Sequence, residues 1–232
     1  MVKYFYFSLL LLISVNSIAQ DSIPLIKGDS IYREDQFYIG VSYNVFSSIP
    51  EGVSSKGISG GITLGYLRDM PINKRRSLAV AVGLGFSYDQ FGQNILIEED
   101  DQNNTIYTIL PSETDFKYNR LSVFVIEAPI ELRWRSSTPT EYKFWRVYAG
   151  FRLGYTMWNK SSFKSSSLKI TNSNINEFDK LRLATFLSLG YSKFNLFVQY
   201  NINPFFNNDA ITEDGQQVDF NGIKLGLIFY LL

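Results

Sequence analysis

From about residue 35 onward the chain alternates bulky apolar side chains with small or polar ones in eight segments. A period of two marks β-strands, because successive side chains leave a strand on opposite faces. The clearest segment puts Leu78, Val80, Val82, Leu84, Phe86 and Tyr88 on one face. Its other face holds Ala79, Ala81, Gly83, Gly85 and Ser87. A strand of a water-soluble sandwich turns its large residues inward and shows polar ones to water. Here the second face is almost bare, as the crowded interior of a narrow barrel requires. The large residues are then left to face lipid.

The same alternation returns with charge. Trp145, Val147, Ala149, Phe151, Leu153, Tyr155 and Met157 oppose Arg146, Tyr148, Gly150, Arg152, Gly154 and Thr156. Leu181, Leu183, Leu187, Leu189 and Tyr191 oppose Arg182, Ala184, Ser188 and Gly190. Phe194 to Ile202 and Ile223 to Leu231 follow the pattern, the last with Lys224 and Gly226 on its small face. Gln36 to Val45 and Gly57 to Asp69 are shorter or richer in glycine. Arg120 to Arg135 is the least regular. Its lower half sets Ile126, Ile130, Leu132 and Trp134 against Glu127, Glu131 and Arg133, and its upper half is apolar on both faces.

Each segment has the length that a tilted strand needs to cross a bilayer, about ten residues. The connections alternate between long (46–56, 92–118, 159–178, 204–217) and short (70–76, 136–142, 192–193). Outer-membrane barrels keep short periplasmic turns and long outer loops. The pattern predicts an eight-stranded antiparallel transmembrane up-and-down β-barrel over residues 36–232, with both termini periplasmic. Two aromatic belts are expected. Trp134, Phe144, Trp145, Tyr191, Phe194, Phe229 and Tyr230 fall near the short turns. Tyr88, Phe91, Tyr155, Trp158, Tyr200, Phe205 and Phe206 fall near the long loops.

The N-terminus reads as an export signal over residues 1–19. Lys3 precedes an apolar run from Phe5 to Val15, and Ser17-Ile18-Ala19 supplies small residues for cleavage before Gln20. Residues 20–35 form a polar periplasmic lead-in. Aromatics reach 16% while charged residues reach only 19%, a balance unlike that of a typical soluble domain. Formal net charge is zero, so nothing draws nucleic acid. The absence of histidine and cysteine removes the commonest general base, the commonest zinc ligand and every thiolate. A non-enzymatic protein with no cofactor and no small-molecule substrate is expected, with outer-membrane lipid as its first partner. The acidic run from Glu98 to Asp101 lacks the oxygen-ligand spacing of a calcium loop and reads as a solvated tip.

Seven charges point into the predicted lumen: Glu127, Glu131, Arg133, Arg146, Arg152, Arg182 and Lys224. Unpaired charge is costly away from water, so an ion-pair network is expected. A turn centred near residue 138 or 139 sets Glu131 opposite Arg146 and Glu127 near Arg152. Eight strands leave room for side chains only, and no diffusion pore is expected. Asp69, Lys74, Arg75 and Arg76 flank a short turn and form a candidate partner surface.

Three stretches carry a resemblance. They are Arg68-Asp69-Met70-Pro71-Ile72-Asn73-Lys74-Arg75, Glu127-Ala128-Pro129-Ile130-Glu131-Leu132-Arg133-Trp134-Arg135, and Ser137-Thr138-Pro139 with Tyr142-Lys143-Phe144-Trp145-Arg146. With the leader ending in Ile18-Ala19-Gln20, they resemble the PorT family of Bacteroidetes outer-membrane proteins. The resemblance implies an accessory role in type IX protein secretion and gliding motility, with other secretion components as partners and no catalytic residues. The alternative is a general porin-like structural or adhesive barrel that uses its outer loops.

Overall fold

The computed structural model describes residues 35–47, 49–111, 113–136, 144–192 and 194–231. The predicted leader, nearly all of the lead-in, and all but Ser136 of the predicted 136–142 turn lie outside the described residues. The barrel strands are β1 (Gln36–Ser47), β2 (Gly60–Pro71), β3 (Leu78–Gly92), β6 (Tyr118–Arg135), β7 (Trp145–Lys164), β9 (Leu181–Tyr191), β10 (Phe194–Asn201) and β11 (Asn221–Leu231). Between them lie β4 (Ile95–Glu99), β5 (Thr105–Ile109) and β8 (Lys169–Ser173). Each barrel strand pairs antiparallel with the next in sequence, and β1 pairs with β11 from Phe37↔Leu231 to Ser47↔Asn221. The ring is closed and leaves no barrel edge unpaired.

The alternation in the sequence becomes two faces. Leu132, Phe151 and Leu189 are each more than half exposed, while Glu131, Arg133, Arg152 and Ser188 beside them are buried. Large apolar side chains on the outside and charges inside make the arrangement of a membrane barrel. One outward row, Leu78–Trp134–Val147–Leu189, lies near the short turns. Another, Tyr88–Phe124–Trp158, lies near the long loops. The ten residues between Trp134 and Phe124 rise about 33 Å along the strand. At the usual tilt this spans about 25 Å along the barrel axis, the height of a lipid-facing apolar band.

The small inner faces are needed for closure. A Cβ on Gly85 would stand 1.9 Å from Tyr38 Oη, and one on Gly65 would stand 2.6 Å from the same atom. These two glycines hold open the space that the Tyr38 ring fills. Pro129 sits inside β6, where it offers no N–H to the ladder. The β3–β6 pairing is interrupted there, between Val82↔Ile130 and Gly85↔Glu127.

The long connections are more structured than their composition predicts. β7 runs on to Lys164 and pairs with β8, and β4 and β5 form a hairpin. The unassigned upper half of β6 resolves as an apolar inner face of Leu121, Val123 and Val125, with Phe124 and Ile126 turned outward. A register shift beside Phe124/Val125 leaves Met157 without a partner on β6. This bulge swaps the faces of β7 above it, so that Asn159, Ser161 and Phe163 turn inward. The aromatic belts are also thinner than predicted. Phe91, Phe205 and Phe206 are buried in the interior at the long-loop end, and Phe144 and Tyr230 are largely enclosed at the other.

Candidate functional site

Two zones fill the interior. The lower one, toward the short turns, is built on charge. The registers β2–β3 and β3–β6 bring Asp69, Ala81 and Glu131 into one inward row. Arg133, one pleat further along β6, donates from Nη1 to Asp69 Oδ1 at 3.2 Å and from Nη2 to Glu131 Oε2 at 3.1 Å. It also donates to Gln36 Oε1 at 3.1 Å. Arg135 Nη2 reaches the second Asp69 oxygen at 2.6 Å. Arg152 Nη1 meets Glu127 Oε2 at 3.1 Å, and its Nη2 lies 3.6 Å from Glu131 Oε1. Lys224 bonds Asp89 and lies 3.9 Å from Glu127 Oε1.

The result is one continuous chain of alternating sign: Arg135, Asp69, Arg133, Glu131, Arg152, Glu127, Lys224, Asp89. All of these residues are buried, Asp69, Arg133 and Arg135 with no measurable exposure. Four bases against four acids leave this chain of residues with no net charge. Rings cover faces of two of these cations. Arg133 stacks 4.6 Å over Tyr148, and Arg152 stacks 4.3 Å over Phe186.

Five of the seven predicted lumen charges join this chain and two do not. Arg146 is half-buried at the short-turn end, where it stacks over Phe144 and donates to the Ser192 carbonyl. The β6–β7 register places Gly150, not Arg146, opposite Glu131, because Ser136 and Trp145 close the ladder further along the chain than the predicted turn centre. The slip is an even number of residues, so every side chain keeps its expected face. Arg182 lies higher, 3.5 Å from Asp179 and 5.0 Å over the Phe205 ring.

Asp69 is not on the turn surface. It shares the inward face of β2 with Thr63 and Leu67 and belongs to the charge chain. The turn beyond it is closed by Asn73, whose side chain bonds Ser77 Oγ at 2.9 Å and the Leu78 N–H at 3.2 Å. Lys74 and Arg75 are exposed there. Arg76 adopts the left-handed conformation (φ 56°), and its carbonyl accepts from Arg135 Nε at 2.9 Å. Asp89 and Arg135 were missed by sequence reasoning. Both continue alternations already visible, Asp89 after Ser87 and Arg135 after Arg133.

The upper zone is aromatic. Phe46, Phe91, Phe178, Phe205, Phe206 and Phe220 form one cluster with Tyr107, Ile95 and Ile97. Phe46 stacks on Phe91 at 4.8 Å and meets Phe220 at 4.3 Å. Phe205 sits edge-on to Phe91 at 5.0 Å. These residues come from all the long connections, which polar contacts also join. Asn94 holds Gly52 O and Leu110 O at 3.0 Å each and accepts from Ser54 N at 2.7 Å. Tyr107 Oη donates to Glu177 at 3.1 Å, and Asn207 N donates to Glu177 O at 2.8 Å. Burial first, and then the Glu177 carboxylate, hold the Tyr107 phenol well above its ordinary value. The long loops therefore form a folded cap.

At the tip of the β4–β5 hairpin Asp100 is a turn former. It accepts from Gln102 N and Asn104 N at 2.8 Å each and from Asn104 Nδ2 at 2.9 Å. Those bonds hold its carboxyl below the usual range, the Asn104 side chain foremost. Between the zones Asp89, Glu127, Arg152, Arg182, Gln199 and Lys224 surround a cavity of about 20 Å³. That is room for a water or so, not for a solute path.

No curated protein matches the chain. Among solved structures it is similar to Ail, the attachment invasion locus protein of Yersinia pestis. With Ail in complex with the heparin analogue sucrose octasulfate it shares 15% identity at a TM-score of 0.33, over 85% of this chain and 99% of that one. A second crystal structure of Ail gives 14% identity and a TM-score of 0.32 over the same shares. Ail in a phospholipid bilayer nanodisc gives 15% and 0.31, over 85% and 100%. These superpositions are loose, and no ligand of this chain follows from them. Residues 18–227 match the family described as outer membrane protein beta-barrel domain. The match spans most of the chain, the closed antiparallel ring agrees with it, and this chain belongs to that family.

Proposed function

We propose that the protein is a non-conducting, non-enzymatic outer-membrane barrel that holds a folded cap on the cell surface and acts through that cap, as a structural or adhesive element. One observation carries the reading: the long loops share a single aromatic core above a lumen closed by its own ion pairs. Ordering loops costs conformational entropy, roughly 1–2 kcal/mol per residue. A barrel serving only as an anchor needs no such cap, and a pore would keep its lumen open. In this reading the cap faces outward and both termini are periplasmic. Planar-bilayer recording tests the closed lumen: no steady conductance is expected, and a stable open channel would contradict it. Removing residues 92–118 should leave the barrel inserted and abolish surface attachment. Unchanged attachment counts against the cap as the working part.

The second reading is an accessory role in type IX secretion. The three stretches resembling the PorT family favour it, two of them flanking short turns. Exposed Lys74 and Arg75 would then contact other secretion components from the periplasmic side. Deleting the gene and assaying export of cargo with C-terminal sorting signals separates the readings. Lost export that a barrel lacking residues 92–118 restores supports the secretion role. Normal export in the deletion strain removes it.

A further inference from the structure

The registers define rows of outward side chains above the lipid-facing band. The Tyr88–Phe124–Trp158 row closes that band, with Phe86 and Phe124 stacked at 6.1 Å just there. The next row up is Gln90–Ser122–Lys160–Ser173. Above it come Gly92–Arg120–Ser162–Thr171 and then Tyr118–Lys164–Lys169. These three rows therefore carry Lys160, Arg120, Lys164 and Lys169 on one outward face and no carboxylate. Arg120 is held in place by stacking 4.7 Å over Tyr118 and by Gln90 Oε1 at 3.3 Å. Across the barrel, on β1, β11 and β10, the outward row Val45–Ile223–Tyr200 holds no cation. The four cations of these rows all stand on the β6–β7–β8 side.

A solvated sheet face does not call for four cations of one sign. A headgroup carrying phosphates at the top of the acyl layer does, since Lys and Arg meet phosphate oxygens with charge-assisted bonds. The aromatic row would take the upper acyl chains and the cationic rows the headgroup. We propose that this face binds a phosphorylated glycolipid of the outer leaflet, of the lipid A class, through Arg120, Lys160, Lys164 and Lys169. The assignment rests on the outward-facing cap proposed above.

The test uses the full-length mature protein in phosphatidylcholine nanodiscs doped with purified lipid A. Lipid A retained on the protein is measured by native mass spectrometry. The comparison is wild type against the variant carrying Arg120→Gln, Lys160→Gln, Lys164→Gln and Lys169→Gln. A loss of roughly tenfold or more is expected, given the attraction of each basic residue to an anionic surface. A variant with all three lysines changed to arginine should retain the lipid. Equal retention by the glutamine variant, with its heat-modifiable gel shift intact to show a folded barrel, overturns the proposal. If lipid A stripped of its phosphates is retained as well as lipid A itself, the cations do not read the headgroup and the assignment falls. Labelling of cap lysines on intact cells checks orientation separately. A cap that labels only after lysis would refute the orientation whatever the nanodiscs show.

Discussion

Arg133 and Phe205 stand at the centres of the two halves of one interior, and they are held by opposite means. Around Arg133 every neighbour is fixed by direction and sign: Asp69 and Glu131 as acceptors, Tyr148 and Tyr230 as faces. Around Phe205 the neighbours are rings whose contacts depend on shape. The lower half is enclosed by barrel strands and its charges are buried, so any charge there must be matched. The upper half is assembled from loops and has no ladder around much of it, so its cohesion comes from buried aromatic area. Removing one partner should therefore damage the whole barrel below and only a local unit above.

The largest effect is expected from Arg133→Met, which leaves Asp69 with only Arg135 and Glu131 with only Arg152 inside a closed lumen. Breaking a buried pair in this way costs about 3–5 kcal/mol. Urea unfolding in vesicles should show a lower midpoint with all strands lost together. Phe205→Ala should cost the cap about 3 kcal/mol or more. Amide exchange should rise in β4, β5 and the 204–220 segment while the lower strands stay protected. Uniform loss of protection would erase the difference between the halves. Gly85→Ala drives a methyl into Tyr38 and should cost about 1–3 kcal/mol by overpacking. Adding Tyr38→Phe should recover part of that loss, because the added methyl clashes with the hydroxyl.

The smallest effects are in pH. Tyr107 has its folded value raised, so the stability it lends is complete below its ordinary value near 10 and declines as pH rises above it. Asp100 has its folded value lowered, so its contribution holds above the usual carboxylate range and fades as pH falls through the lowered value. Cap exchange should quicken at both extremes, and Tyr107→Phe should flatten the alkaline limb. An alkaline limb unchanged by that substitution would show that Tyr107 does not hold the loops together.

The barrel was legible because its signal is local and repeated. In β3 each residue announces its face through its neighbour, and the same rule extended to Asp89 and Arg135 would have found both. Asp69 was misplaced because its nearness to the Asn73 turn outweighed its parity with Leu67. The cap was not legible. Phe46, Phe91, Phe178, Phe205 and Phe220 lie far apart in the chain and share no period, so nothing short of the closed ring brings them together. The β4–β5 hairpin and β8 are five-residue strands, too short to show alternation above the noise of a loop. Arg146 was misread through register, which depends on how the ladder closes at Ser136 and Trp145.

Relaxation enhancement by NMR in nanodiscs, with one paramagnetic probe dissolved in the acyl layer and another in water, tests most directly whether lipid takes the place of water around the barrel. Amide and methyl signals of Val82, Leu132, Phe151 and Leu187 should broaden with the lipid-borne probe. The amide signals of Glu131, Arg133 and Arg152 should be spared by the aqueous probe, and the β4–β5 tip should respond to the aqueous one alone. Broadening of the Glu131, Arg133 and Arg152 signals by the aqueous probe, or silence of Leu132 and Phe151 toward the lipid probe, would contradict a sealed, charge-paired barrel in a membrane.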